Sequence, residues 1–280
     1  STGADSVRFE TASPQGQIIN RAAYVTSFAL RAQEHGAIYM LGERVQRVTP
    51  DTDGVTVVTD CGTYQSRAVV LASGFGSPLI RQVGLGTVPD YVTGTQVEVS
   101  ISPGVDKVQL FVGHDVAPGF FSWLVPTSPG RGLAGLMARR QAPDHLSGFL
   151  QLLQRDGKID SVEGNPACWG IPLRPLKSTH KDRVLVAGDA AGQVKPTTGG
   201  GIYYSLLASE IASQVLADAL SENDLSAPRL SKYQRSWKAL LSKELEVGYS
   251  ARRLFEALND QQISSLVVQA GTKSIHNELL

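Results

Sequence analysis

The stretch Val184-Leu-Val-Ala-Gly-Asp-Ala-Ala-Gly-Gln-Val-Lys-Pro-Thr-Thr-Gly-Gly-Gly-Ile202 decides how this chain reads. The apolar run Val184 to Ala187 fits a strand covered on both faces. Asp189 follows it, which puts a carboxylate at the carboxyl edge of a sheet, where open α/β proteins place ligands. Such a carboxylate can accept hydrogen bonds from the hydroxyls of a sugar-like chain. Ala190, Ala191 and Gly192 let a ligand come close to the backbone. Gly199, Gly200 and Gly201 then open a helix whose free N–H groups and positive dipole end favour negative charge. A bound ring that becomes anionic on reduction suits that arrangement. A lone Gly-Asp pair would be an ordinary sheet-to-helix turn; the whole run asks for a ligand.

Working outward, the 280 residues and 42% hydrophobic content allow one large domain or two small ones. Basic and acidic side chains balance at 26 each, so no basic stripe points to nucleic acid. Cys61 and Cys168 form no CxxC pair, which argues against a zinc site or a disulfide framework and makes a reducing compartment the default. The start, Ser1 to Asp5, is polar and not a signal peptide, and the apolar stretch Ile202 to Leu220 carries Glu210 and Asp218, so it reads as a buried or amphipathic helix. A cytoplasmic protein is expected.

Gln17 to Asn20 reads as a short strand and Arg21 to His35 as a helix with Tyr24, Phe28 and Leu30 to Ala32 on one side, stopped by Gly36. Arg44 to Thr49 and Val55 to Thr59 read as a hairpin, and Val69 to Gly74 as a strand covered on both faces. Tyr91 to Ile101, Lys107 to Val112, Gly119 to Val125 and Gly132 to Ala138 are β-rich and separated by turns, an antiparallel sheet. Helices are expected at Leu146 to Gln154, Gly201 to Leu220, Arg229 to Phe255 and Ile263 to Leu280. The fold class is α/β, α+β overall: a Rossmann-like layer at 1–88 and 170–221, an antiparallel-sheet substrate domain at 89–169 and a helical region at 222–280.

The run Gly188 to Ile202 resembles the second flavin motif of the FAD-dependent oxidoreductases related to geranylgeranyl reductases, in which GDAAG, a proline and a PxxGxG pattern precede a long helix. Two further segments agree with it. Ile18 to Phe28 with Glu34 to Ala37 is similar to that family's R-A-x-F-D-x-x-L…GA segment, with Tyr24, Val25 and Phe28 departing from it; Val69 to Ser77 is similar to its A-x-G-x-x-S strand. Pro118 to Pro126 resembles its Y-x-W-x-F-P segment, with Phe121 and Val125 departing, and the flavin halogenases carry a related W-x-W-x-I-P there. The PTTGGG glycines fit the reductase form better.

The resemblance implies bound FAD. It assigns the ribityl chain to Asp189 and the pyrimidine edge of the flavin ring to Gly199, Gly200 and Gly201, flanked by Gly188, Pro196 and Ile202. Arg21, Val45 and Gly74 would line the rest of the cofactor, and Phe121, Trp123 and Pro126 a pocket for apolar chains. It implies hydride transfer to a C=C of an isoprenoid-type or other apolar lipid substrate. An electron donor, NAD(P)H or ferredoxin, would be needed, and a peripheral membrane contact would fit such a substrate. A flavin monooxygenase or halogenase, and a module that no longer binds FAD alone, are the other readings. No proton donor is identified; His114 and Tyr91 are candidates. The family's opening GxGxxG lobe has no counterpart in residues 1–280. A truncated chain, a separate polypeptide and a natural loss all fit that departure. Without the lobe, strands 69–72 and 184–187 are expected to have open edges and to favour self-association.

Overall fold

The computed structural model describes residues 6–8 and 18–272. Ile18 to Asn20 are not a strand, and Gln17 lies outside the described residues. Asn20 instead caps helix α1 (Arg21–Glu34), its side-chain oxygen accepting the Ala23 N–H at 3.1 Å. A short amide that satisfies an orphan helix donor outweighs the strand propensity of two isoleucines.

Three sheets follow. Strands β1 (Val45–Pro50), β2 (Val55–Thr59) and β3 (Thr63–Ser66) form an antiparallel meander. Asp51 closes its first turn, its carboxylate accepting the Asp53 and Gly54 N–H groups at 2.8 Å. Strand β4 (Val69–Leu71) pairs in parallel with β11 (Val184–Val186), which pairs on its other side with β10 (His180–Lys181). The short helix α2 (Pro78–Gln82) buries Leu79 and Ile80 between these two sheets.

The third sheet has five antiparallel strands: β5 (Tyr91–Ile101), β6 (Gln109–Val112), β7 (Phe121–Ser128), β8 (Arg131–Ala138) and β9 (Ile159–Pro172), in the order β6-β7-β8-β5-β9. Helix α3 (Ala142–Arg155) covers one face with Ala142, Leu146, Phe149 and Leu153, a spacing of four, three and four that keeps one side of a 3.6-residue helix on the sheet. Helix α4 (Ile202–Ser221) packs on α5 (Ala227–Glu256), burying Trp237, Tyr233 and Leu230 with Leu185 beneath them. Helix α6 (Asp260–Thr272) ends the described chain; residues 273–280 of the helix expected at 263–280 lie outside it.

Four expectations change. Strand β9 went unread, because Glu163, Gly164, Asn165 and Pro166 look like a loop; it carries register irregularities opposite β5 between Gln96 and Glu98 and between Ser100 and Ile101. A boundary between 169 and 170 therefore falls inside a strand. Strand β11 has no open edge, since β10 and β4 flank it, and all three of its residues are buried. Strand β4 has one neighbour only and leaves Val70 41% exposed, so it is not covered on both faces. Helix α1 buries no residue. Its apolar side chains are spread around the axis rather than gathered in one stripe.

Candidate functional site

The parallel register places the two cofactor-like turns side by side. Val69 faces Val184 and Leu71 faces Val186, so Gly74 and Asp189 each lie three residues beyond the same sheet edge. Both are exits from parallel strands at their carboxyl ends, the position where such sheets bind ligands. Gly74 has φ of 75°, and a side chain built there would meet open space.

The Asp189 turn is held rigidly. Gly188 to Ala191 make one 3-10 turn, and Gly192 follows with φ of 75°. A Cβ on Gly192 would lie 2.4 Å from the Arg174 carbonyl oxygen, so only glycine fits there. The fully buried Gln193 ties the turn down: its side-chain oxygen accepts the Gly188 N–H at 2.8 Å, and its amide nitrogen donates to the Tyr233 hydroxyl at 3.0 Å. That hydroxyl donates in turn to the Val186 carbonyl at 2.9 Å. Gln193 was not singled out from sequence; one amide inside a run of tiny residues was its only signal.

The Asp189 carboxylate has no hydrogen-bond or ion-pair partner among the described residues. Desolvation raises its pKa, and the charge of Arg21 pulls partly in the other direction. A half-buried carboxylate left without donors costs free energy unless a ligand supplies them. Gly201 leaves the space: a Cβ there would lie 2.7 Å from the Asp189 Oδ1. The charge of Arg21, far away in sequence, thus acts on Asp189. No hydrogen bond or ion pair among the described residues joins Val45 to this edge.

The glycine turn is closed by Lys195 and Gly200, whose backbones exchange an N–H to the Gly200 carbonyl, and by the Gly199 N–H to the Lys195 carbonyl. The backbone N–H groups of Gly200, Gly201, Ile202, Tyr203 and Tyr204 have no partner among the described residues, which leaves the α4 N-terminus open to an anion. Helix α5 buttresses the turn. Glu244 accepts the Tyr204 hydroxyl at 2.6 Å and lies 3.6 Å from the Lys195 ammonium. A Cβ on Gly248 would touch Pro196 at 3.5 Å, so Pro196 and the turn rest directly on α5.

On its other side the glycine turn meets the five-stranded sheet: a Cβ at Gly199 would lie 3.2 Å from the Met137 sulfur and 3.3 Å from Ile171. Residues directly opposite in antiparallel strands share a face. One row is Met137, Gly94 and Trp169 across β8, β5 and β9; the next is Trp123, Gly135, Gln96 and Ala167 across β7, β8, β5 and β9. These rows lie on the face away from α3. Phe121 shares it by alternation along β7, and its ring lies 6.0 Å from that of Trp123. Gly135 makes room for the Trp123 ring, since a Cβ there would lie 2.5 Å from it. Pro126 does not join Phe121 and Trp123. It has the parity of Ser122 and Leu124 and so points to the opposite face. Neither proton-donor candidate lies in these rows: His114 is paired with Asp260 at 2.9 Å near the start of α6, and the Tyr91 ring meets that of Phe75 at a tilt, with centroids 5.0 Å apart.

A charged cluster pins α5 to the sheet at the start of β7. Arg139 bonds Asp90 and Glu256, Tyr249 donates to Asp90 at 2.8 Å, and Arg252 donates to Glu256 at 2.9 Å. The Arg252 guanidinium lies 3.4 Å from the Phe120 ring centre, is buried, and leaves two nitrogens without partners. Desolvation pulls its pKa down to about 10, against the attraction of Glu256. No helix among the described residues is long and apolar enough to cross a membrane.

Comparison with known proteins places this geometry. A family described as FAD dependent oxidoreductase matches residues 5–158. Digeranylgeranylglycerophospholipid reductase 2 of Methanothermobacter thermautotrophicus is 30% identical over 285 residues, covering 95% of this chain and 72% of that protein. A protein of the same name from Methanopyrus kandleri is 30% identical over 272 residues, covering 90% and 68%. Among solved structures, a geranylgeranyl bacteriochlorophyll reductase-like protein of Thermoplasma acidophilum superposes with a TM-score of 0.84 at 19% identity, covering 97% of this chain and 73% of that one. A flavin-dependent halogenase gives 0.66 at 15% identity, covering 83% and 47%.

Proposed function

Because the chain belongs to the FAD-dependent oxidoreductase family, with the geranylgeranyl reductases as its relatives, we propose that it reduces carbon–carbon double bonds in the isoprenoid chains of a membrane lipid. Its residues fit the cofactor: an unpartnered, desolvated carboxylate at Asp189, space kept by Gly201, and free N–H donors from Gly200 to Tyr204. FAD, when bound and reduced, supplies the hydride.

Each protein group then has a task. Asp189 accepts hydrogen bonds from cofactor hydroxyls and so gains the donors that it lacks. The charge of Arg21 partly offsets the desolvation that raises the pKa of that carboxylate. The α4 N-terminus stabilises negative charge lying against it, because its aligned dipoles need no reorganisation. The face carrying Met137, Trp123 and Phe121 holds an apolar chain and excludes water from it. The carrying observation is that the glycine turn abuts this face at Met137 and Ile171. Positioning of the double bond against the turn contributes to the rate in such a site.

The test is a single turnover without oxygen. The protein is loaded with FAD, reduced with dithionite and mixed with a geranylgeranylated glycerol ether in detergent. Flavin reoxidation with saturation of the chain, seen by mass spectrometry, supports the reading. Reoxidation only in air, with a hydroxylated or halogenated product, would favour oxygen chemistry instead. A peripheral membrane position and an external electron donor, NAD(P)H or ferredoxin, belong to the same proposal. Co-sedimentation with lipid vesicles and reduction kinetics with each donor test them.

A further inference from the structure

We propose that Gln96 selects the substrate by donating a hydrogen bond from its amide nitrogen to an oxygen of the bound lipid. The inference rests on reading the face of Met137 and Trp123 as the substrate surface. Gln96 lies in the row Trp123, Gly135, Gln96, Ala167, with Met137, Gly94 and Trp169 in the row beside it. It is the one side-chain amide in these two rows, whose other polar atoms are the indole nitrogens of Trp123 and Trp169.

Its orientation is fixed by chemistry. The Trp123 indole nitrogen lies 3.1 Å from the Gln96 Oε1, and an indole N–H can only donate. The amide oxygen must therefore face Trp123, which turns the NH2 group away from it. That NH2 has no partner among the described residues. Gln96 is half-buried. A chain lying on this face would strip water from the amide, and a substrate lacking an acceptor would leave a desolvated donor unpaired. The discrimination is against hydrocarbon and in favour of an isoprenoid carrying an ether, ester or hydroxyl oxygen. Adjacent rows on one face are two residues apart along a strand, so the acceptor sits about 7 Å from the row that meets the glycine turn.

The experiment measures binding rather than turnover, so that it stands apart from the test of the reaction. Geranylgeraniol and the tetraene hydrocarbon in which hydrogen replaces its hydroxyl are titrated into the FAD-loaded protein in detergent, followed by tryptophan fluorescence. The wild type is expected to prefer the alcohol by about 3- to 10-fold, the range of one neutral hydrogen bond. Gln96→Leu should abolish the preference by weakening the alcohol alone. Gln96→Glu keeps an acceptor for Trp123 but loses the NH2; its carboxylate can accept the alcohol's own O–H, so this variant is read with geranylgeranyl methyl ether, which can only accept, and its preference for the ether over the hydrocarbon should be lost. No preference in the wild type, an equal loss for both ligands in Gln96→Leu, or an ether preference that survives in Gln96→Glu would each overturn the proposal. If the preference behaves as expected while no double bond is reduced, the proposed reaction falls and the role of Gln96 stands.

Discussion

Helices α1 and α3 are both fourteen residues long, and each carries a phenylalanine near its middle. Phe149 on α3 is fully buried, whereas Phe28 on α1 is 43% exposed. The difference lies in what each helix rests on. Helix α3 has an apolar stripe and a five-stranded sheet to receive it. Helix α1 has scattered apolar residues, and it leads to Ile38, Met40 and Leu41, all exposed. An amphipathic sequence gains stability only from a surface that accepts it, since a helix of this length is marginal by itself. The side of the five-stranded sheet completes its core within the described residues; the α1 side presents apolar surface without covering it.

Substitutions can break or sharpen that contrast. Phe149→Ala should be the most damaging, costing about 3–5 kcal/mol of unfolding free energy through lost burial and a residual cavity. Urea titration followed by circular dichroism measures it. Glu256→Ala should come close, at about 3–5 kcal/mol, because Arg252 loses its one recorded bond and becomes an uncompensated buried charge. Phe28→Ser should change unfolding free energy by less than about 0.5 kcal/mol, the usual range for exposed sites. A loss as large as that of Phe149→Ala would refute the contrast.

Asp189 tests the site rather than the scaffold. Asp189→Ala should weaken FAD binding by about 10- to 100-fold, the worth of hydrogen bonds to a charged acceptor, read by flavin fluorescence quenching. Asp189→Asn should move stability in the opposite direction. The Asp189 carboxyl has a raised pKa from desolvation, so the folded state holds its proton more tightly than the unfolded chain. Ionisation above the unfolded pKa therefore costs folding free energy. The Asn variant escapes that cost: without FAD its Tm should exceed the wild type at neutral pH. The gap should close as pH falls below the unfolded carboxylate range. An unchanged gap across pH would mean that the carboxylate is not desolvated.

Much of the site was legible because it is local. The strand, the acid, the small residues and the three glycines are contiguous, and each is demanded by a turn or a helix start within a few residues. The long helices at α4 and α5 showed the same way, through periodicity and a proline near the start of α5. Strand β9 was illegible because its polar, glycine-containing middle satisfies loop rules while β5 supplies its partners. Pro126 was misplaced for a related reason. The resemblance of Pro118 to Pro126 to a family segment implied a pocket shared with Trp123, but alternation along β7 sends Pro126 to the other face.

The sequence alone determined the order of strand, acid, small residues and glycines, since turns and helix starts are short-range matters of sterics; the Arg174 carbonyl that excludes a side chain at Gly192 is a tertiary contact. Tertiary structure alone decided that Gln96 meets Trp123, that the charge of Arg21 acts on Asp189, and that Arg139 bonds Glu256. Those groups are separated by tens to more than a hundred positions. Which of them meet depends on strand order and register, and these are set by the burial of a whole sheet rather than by any residue's own preference.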